Sequence, residues 1–154
     1  MAAVQRTRVP PSAQGSGHIV NTASGAALAP RPGMTPYAMT KHAVVGLSVS
    51  LRAEAELHGV KVSAVCPGYI ATNIQKNTRF VKLDGEKLME KVPIKPLTAD
   101  QCAKITLAGT RKNKAIIPVS RMVWLDWFLF RLSPGLSLRT ARWRSKQFEA
   151  HRKH

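Results

Sequence analysis

"LHGVKVSAVCPG", residues 57–68, marks the change from one kind of backbone to another and then an abrupt stop. Gly59 closes a long run of helix-compatible residues and suits the left-handed position that ends a helix. Residues 60–66 then read as a strand, rich in valine and free of glycine and proline. Pro67–Gly68 ends it, because neither residue sustains a central ladder. A helix delivering directly into a strand is one step of an alternating α/β pattern.

Reading outward from that strand gives the rest of the fold. The helix before it spans 36–58, with Thr35 as a cap and Pro36 at its first position, where a missing N–H costs nothing. Val44, Leu47, Leu51, Ala55 and Leu57 are its expected apolar face. Upstream, "HIVNT" (18–22) reads as a short buried strand entering the small-residue loop "ASGAALAPRPG". Downstream, a looser helical region occupies about 72–92, and Thr98 with Gln101 forms a capping-box pattern ahead of a helix over 98–109. "KAIIPVS" (114–120) reads as a third strand. Strands alternating with helices imply an α/β fold with a parallel sheet. Three segments follow: a loose arm at 1–16 rich in Pro, Ser, Gly and Arg, an α/β unit at 17–120, and an aromatic then strongly basic extension at 121–154.

Composition bounds the function. With 44% hydrophobic and 21% charged residues, the 154-residue chain is globular rather than disordered. Cys66 and Cys102 have no metal or redox spacing and read as small buried thiols in a reducing, cytoplasmic setting. Residues 1–17 lack the apolar run of a signal peptide. "MVWLDWFLF" (122–130) falls far short of the ~20 apolar residues that span a bilayer. The five histidines are scattered and form no metal set, and His58 suits the carbonyl end of its helix. A formal charge of +16 favours anionic partners, whether nucleotide phosphates, nucleic acid or acidic membrane.

"TPYAMTK" (35–41) carries the chemistry. Residues four apart on a helix lie about 6 Å from each other, so Lys41 can place its ammonium beside the Tyr37 phenol. A unit charge ~5 Å away at an effective dielectric of ~20 stabilises a phenolate by about 3 kcal/mol. That is enough in magnitude to help a tyrosine exchange a proton near neutrality. The spacing alone decides nothing, since Tyr–x–x–x–Lys arises by chance on many helices. Ser24 and the Pro67–Gly68 turn with Thr72 change the weight, because each falls at the carboxyl end of a strand, where ligands bind in such sheets.

Together, "GHIVNTAS", Ser24, "YAMTK" and "VSAVCPGYIAT" resemble the short-chain dehydrogenase/reductase family over roughly residues 17–120. The resemblance implies a Rossmann-like, doubly wound parallel sheet and NAD(P)-dependent oxidation or reduction of an alcohol or carbonyl. It implies that Tyr37 is the general acid/base, that Ser24 holds the substrate oxygen, and that Lys41 assists the tyrosine and binds the nicotinamide ribose. It implies that the turn Pro67, Gly68, Ile70 and Thr72 meets the nicotinamide end, whether of NAD or NADP. It also implies pairing with a like chain or a full-length relative through helix 36–58.

The chain departs from the family at its start. No glycine-rich phosphate loop lies between a strand and a helix, and "GSG" at 15–17 precedes a strand instead. The Asn-Asn-Ala-Gly strand end and the helix bearing the family's catalytic asparagine have no counterpart, and Asn21 belongs to a different motif. The expectation is a C-terminal half with about three of the family's seven strands plus a basic helical tail, weak or inactive alone. Residues 1–16 do not resemble the helix expected there. Two other readings remain open: a non-catalytic dimerisation fragment, and a basic protein attached to a membrane surface, or less readily nucleic acid, through 121–154. The substrate is not readable from 73–97, nor is the choice of NAD over NADP.

Overall fold

The computed structural model describes residues 15–73 and 95–149. Three strands, β1 (Gly17–Thr22), β2 (Val60–Cys66) and β3 (Ile116–Pro118), form one sheet in the order β1-β2-β3. Both pairings are parallel, with Gly17 opposite Val60 through Thr22 opposite Val65, and Ala64 opposite Ile116 through Cys66 opposite Pro118. The helices are α1 (Thr35–Ala55), α2 (Ala99–Arg111), α3 (Arg121–Leu132) and α4 (Pro134–Glu149). This is the expected partial Rossmann-like sheet with a helical, basic tail.

β2 is central and buried along most of its length. β1 lies at the sheet's edge, and Ile19 and Val20 keep more than a third of their surface exposed. Gly59 takes φ 70° after a 3-10 turn at Glu56–His58, so its lack of a side chain lets the chain reverse into β2. The capping box forms: the Thr98 side chain accepts from the Gln101 amide at 3.2 Å, and the Gln101 side chain accepts from the Thr98 amide at 2.9 Å. Ser120 caps α3 in the same way, accepting from the Val123 amide.

Four expectations change. First, Thr35 does not cap α1. Met34 stands at the cap without a side-chain bond, because the Ala38 amide already reaches the Met34 carbonyl at 2.7 Å. Second, Leu47 and Leu57 are 58% and 85% exposed rather than packed. The face toward the sheet is Val44, Ser48, Leu51 and Ala55, spaced four, three and four residues apart. Leu47 stands about 70° from the centre of that face, at its margin, and Leu57 lies beyond the α-helix in the 3-10 turn. Third, β3 is shorter than 114–120 because the Lys114 amide is spent closing α2 on Gly109, and Pro118 has no amide to offer. Fourth, Cys102 is only partly buried, whereas Cys66 is fully enclosed; both thiols are free. The expected helical region at 72–92 lies almost wholly outside the described residues.

Polar cross-links fix the layers. Arg52 on α1 donates to the Val62 carbonyl at 2.7 Å and to the Asn113 side chain and carbonyl at 2.9 and 3.1 Å. Asn113 needs holding, since it sits at φ 50° in the turn before β3. Asn21 on β1 donates to Ser48 on α1 at 3.0 Å, and Ser48 donates to Val44. No helix among the described residues is long and apolar enough to cross a membrane.

Candidate active site

Main-chain bonds carry the β1–β2 ladder past the end of β1. The Ala23 amide donates to Val65 and the Gly25 amide to Pro67, both at 2.7 Å. Ser24 is thereby held beside the Cys66–Pro67–Gly68 turn, at the carboxyl end of the sheet. Its hydroxyl accepts from the Ala26 amide at 3.2 Å, capping the short turn Gly25–Ala27. That bond uses a lone pair and leaves the Ser24 proton available to donate outward.

Lys41 reaches the same end of the sheet. Its Nζ donates to the Thr22 carbonyl at 3.1 Å and lies 5.8 Å from the centroid of the Tyr37 ring. Tyr37 is 37% exposed. Thr40 and His42 turn back onto the Tyr37 and Ala38 carbonyls, which keeps the first turns of α1 regular around the tyrosine. Lys41, with the Tyr37 ring beside it, therefore meets the main chain at the end of β1, two residues before Ser24.

The turn after β2 completes the floor. The Cys66 carbonyl accepts from Val119 and the Pro67 carbonyl from Gly25, so the turn is tied to both neighbouring strands. Gly68 is required by packing: a Cβ there would lie 2.9 Å from both the Ser120 hydroxyl and a Val123 methyl. Ile70 bridges to Leu97 in parallel and, partly buried, packs against Val65, Ile117 and Val119. Thr72 lies exposed just beyond. Cys66 sits under the site, where burial pushes its thiol up to about 11 although the Ser24 amide opposes this. Sequence reasoning missed two parts: the Thr22 carbonyl that holds Lys41, and the Asn21–Ser48 bond that seats α1. Neither has a side-chain signature of function. Among the described residues no group of histidines, cysteines and carboxylates is arranged to hold a metal.

A family model described as short chain dehydrogenase matches residues 2–81. The chain belongs to the short-chain dehydrogenase family. That match takes in nearly all of 1–16, the stretch that reads from sequence as a separate arm. The chain is 33% identical over 137 residues to "Probable oxidoreductase EphD" of Mycobacterium tuberculosis, covering 83% of this chain and 23% of that protein. It is 33% identical over 141 residues to "Dehydrogenase/reductase SDR family member 7B" of Bos taurus, covering 90% of this chain and 42% of that protein. Both alignments are too long to stop at residue 120, so the similarity enters the basic extension. The chain thus spans less than half the length of these curated relatives. Among solved structures, a short-chain dehydrogenase/reductase of Burkholderia phymatum in complex with NAD superimposes with a TM-score of 0.64 at 26% identity. It covers 79% of this chain and 49% of that one.

Proposed function

We propose that this short-chain dehydrogenase chain carries the substrate and proton-transfer portion of an NAD(P)-dependent oxidoreductase acting on an alcohol or carbonyl. The observation that supports the reading is the Lys41–Thr22 bond, which ties the helix bearing Tyr37 to the end of β1 two residues before Ser24. The donor set fits the nicotinamide–ribose end of a cofactor. An ammonium beside a partly exposed tyrosine offers partners for sugar hydroxyls, and the tied Pro67–Gly68 turn offers a rigid backbone wall. A bound nicotinamide would supply or accept the hydride.

The rest is chemistry of this chain's own side chains. The Ser24 proton points at the substrate oxygen and polarises it. Tyr37 passes its proton to that oxygen in the reducing direction and takes it back in the oxidising one. Lys41 favours the phenolate left behind and meets the ribose. Contact of Ile70 with the cofactor is through its backbone, since its side chain packs against Val65, Ile117 and Val119. Thr72 lies at the rim of the same turn. The free thiols agree with a reaction in the cytoplasm. The outer face of α1, with Met39 and Leu47 exposed, and Leu57 in the 3-10 turn that follows it, is the surface we assign to pairing with a like chain. Without a glycine-rich phosphate loop in its sequence, this chain by itself holds the cofactor weakly.

The test joins this chain behind the glycine-rich half of a family member of known structure. NADH- and NADPH-dependent reduction is then followed across a panel of ketones and aldehydes. Reduction that requires Tyr37 supports the reading. A folded fusion that binds cofactor yet reduces nothing, for which Tyr37→Phe changes no step, would instead favour an interaction role through α1.

A further inference from the structure

Helix α3 is apolar on both faces, and only one is used. Inward, Val123 is buried and Trp127 packs against the cluster of Ala23, Ala27, Leu28 and Cys66. Outward, Trp124, Leu125, Phe128 and Leu132 remain 51%, 49%, 47% and 72% exposed. Their spacing of one, four and eight residues from Trp124 puts them on a single face. Trp124 and Phe128 stack with ring centroids 5.4 Å apart. With Trp127, Arg131 and Leu132 they border an open apolar depression of about 400 Å³. A helix that is apolar all round is either buried on every side or meets an apolar phase.

Helix α4 adds charge of one sign. Arg139, Arg142 and Lys146 are exposed and lie three and four residues apart, on the face that also carries exposed Leu136 and Trp143. Between 121 and 149 there are six arginines and lysines against Asp126 and Glu149. Asp126 is already engaged, 2.6 Å from Arg31 and 3.9 Å from Arg144. Leucines, accessible indoles and three cations with no ion pair among the described residues thus share one helical hairpin.

We infer that α3 and α4 form an attachment surface for an anionic lipid bilayer, lying in the interface without crossing it. Indoles settle at headgroup level, leucines reach the acyl boundary, and cations are drawn to anionic headgroups. The charge argues against a second copy as the occupant. Self-complementary pairing would set the same arginines against one another, and the cores of protein interfaces are depleted in charge. It argues less against nucleic acid, but Leu125, Leu132 and Leu136 would have nothing to meet on phosphates or base edges. This surface is separate from the proton-transfer site, so it stands or falls independently of the reading above.

The test is flotation of the full chain with vesicles of phosphatidylcholine alone and of equimolar phosphatidylcholine and phosphatidylglycerol. The chain is expected to float with the anionic vesicles, far less with the neutral ones, and less in high salt. Replacing Arg139, Arg142 and Lys146 by Gln should weaken binding about a hundredfold, at roughly fivefold per cation. Trp124→Ser with Phe128→Ser should abolish flotation while leaving the far-UV circular dichroism unchanged, because both rings face outward. Should that variant fold poorly, quenching of the parent's tryptophans by brominated lipid gives the same answer without substitution. The inference is overturned if the parent does not float with anionic vesicles. It is equally overturned if it binds both vesicle types alike, if its only salt-sensitive partner is duplex DNA, or if Trp124→Ser merely dissolves a self-association.

Discussion

The Lys41 ammonium donates to the Thr22 carbonyl at 3.1 Å, so the helix that carries Tyr37 is tied by its own lysine to the strand that delivers Ser24. One side chain therefore holds the geometry and stands beside the phenol. Titration of the chain with NADH and NADPH, followed by tryptophan fluorescence, should give binding weaker than the micromolar range, that is, weaker than about −8 kcal/mol. Lys41→Ala should weaken it by roughly a further tenfold, about 1.4 kcal/mol, through loss of the proposed ribose contact. Low-micromolar binding by the parent would show that other residues of this chain hold the pyrophosphate.

Arg52 clamps α1, β2 and the turn at Asn113 through three hydrogen bonds. Arg52→Ala leaves the Asn113 side chain unpartnered in a left-handed turn that its bonds had held. The expected loss is roughly 2–4 kcal/mol in urea unfolding, since hydrogen bonds to a charged group contribute more than neutral ones. Arg139→Ala, on an exposed helix face, should stay within about 0.5 kcal/mol of the parent.

What was legible from sequence follows from how local each signal is. Gly59, the Thr98–Gln101 box and the Pro67–Gly68 stop act within a few residues, and all three stand where they were read. Strand β2 is legible because Gly59 and Pro67–Gly68 bound a short valine-rich run. The sheet-facing side of α1 was misread because Ser48 looks polar and Leu47 looks like core. The partner that lets Ser48 be buried, Asn21, is 27 residues away. Likewise, the bridge of Ile70 to Leu97 and its packing against Val65, Ile117 and Val119 join residues far apart in the chain and leave no local signal. The Lys41 acceptor could not be seen at all, because a backbone carbonyl belongs to every residue.

The two thiols should react differently. Cys66 is enclosed and its thiol is pushed up to about 11, so little thiolate forms near neutrality, whereas Cys102 is partly accessible. Iodoacetamide applied to the native chain should label Cys102 and spare Cys66 until denaturant is added. Mass spectrometry of the labelled peptides checks this. Native labelling of Cys66 at the rate of Cys102 would mean that the region beneath Ser24 opens readily.

His18 should make stability depend on pH. Its Nε2 lies 2.8 Å from the Ser63 hydroxyl, which itself donates to the Lys114 carbonyl, so the imidazole nitrogen is the donor of that pair. Burial first, then Lys61 and Arg52, hold His18 below its ordinary value. The unfolded chain therefore takes up a proton near pH ~6.5 that the folded chain resists. This contribution is complete above that value and is lost as the pH falls through it toward the lower folded value. The melting temperature of the parent should drop more steeply on acidification than that of His18→Gln. Parallel curves would remove His18 from the account.

The central claim is that Tyr37 exchanges the proton during hydride transfer. Its most direct measurement is turnover of the chain joined behind a relative's glycine-rich half, with and without Tyr37→Phe. The substitution keeps the ring and its packing beside Lys41 and removes only the exchangeable proton. Proton transfer by a positioned side chain contributes about 10²–10⁴-fold, so turnover should fall by at least ~100-fold while the melting temperature stays nearly unchanged. Turnover of Tyr37→Phe within about threefold of the parent, far inside that range, would contradict the claim.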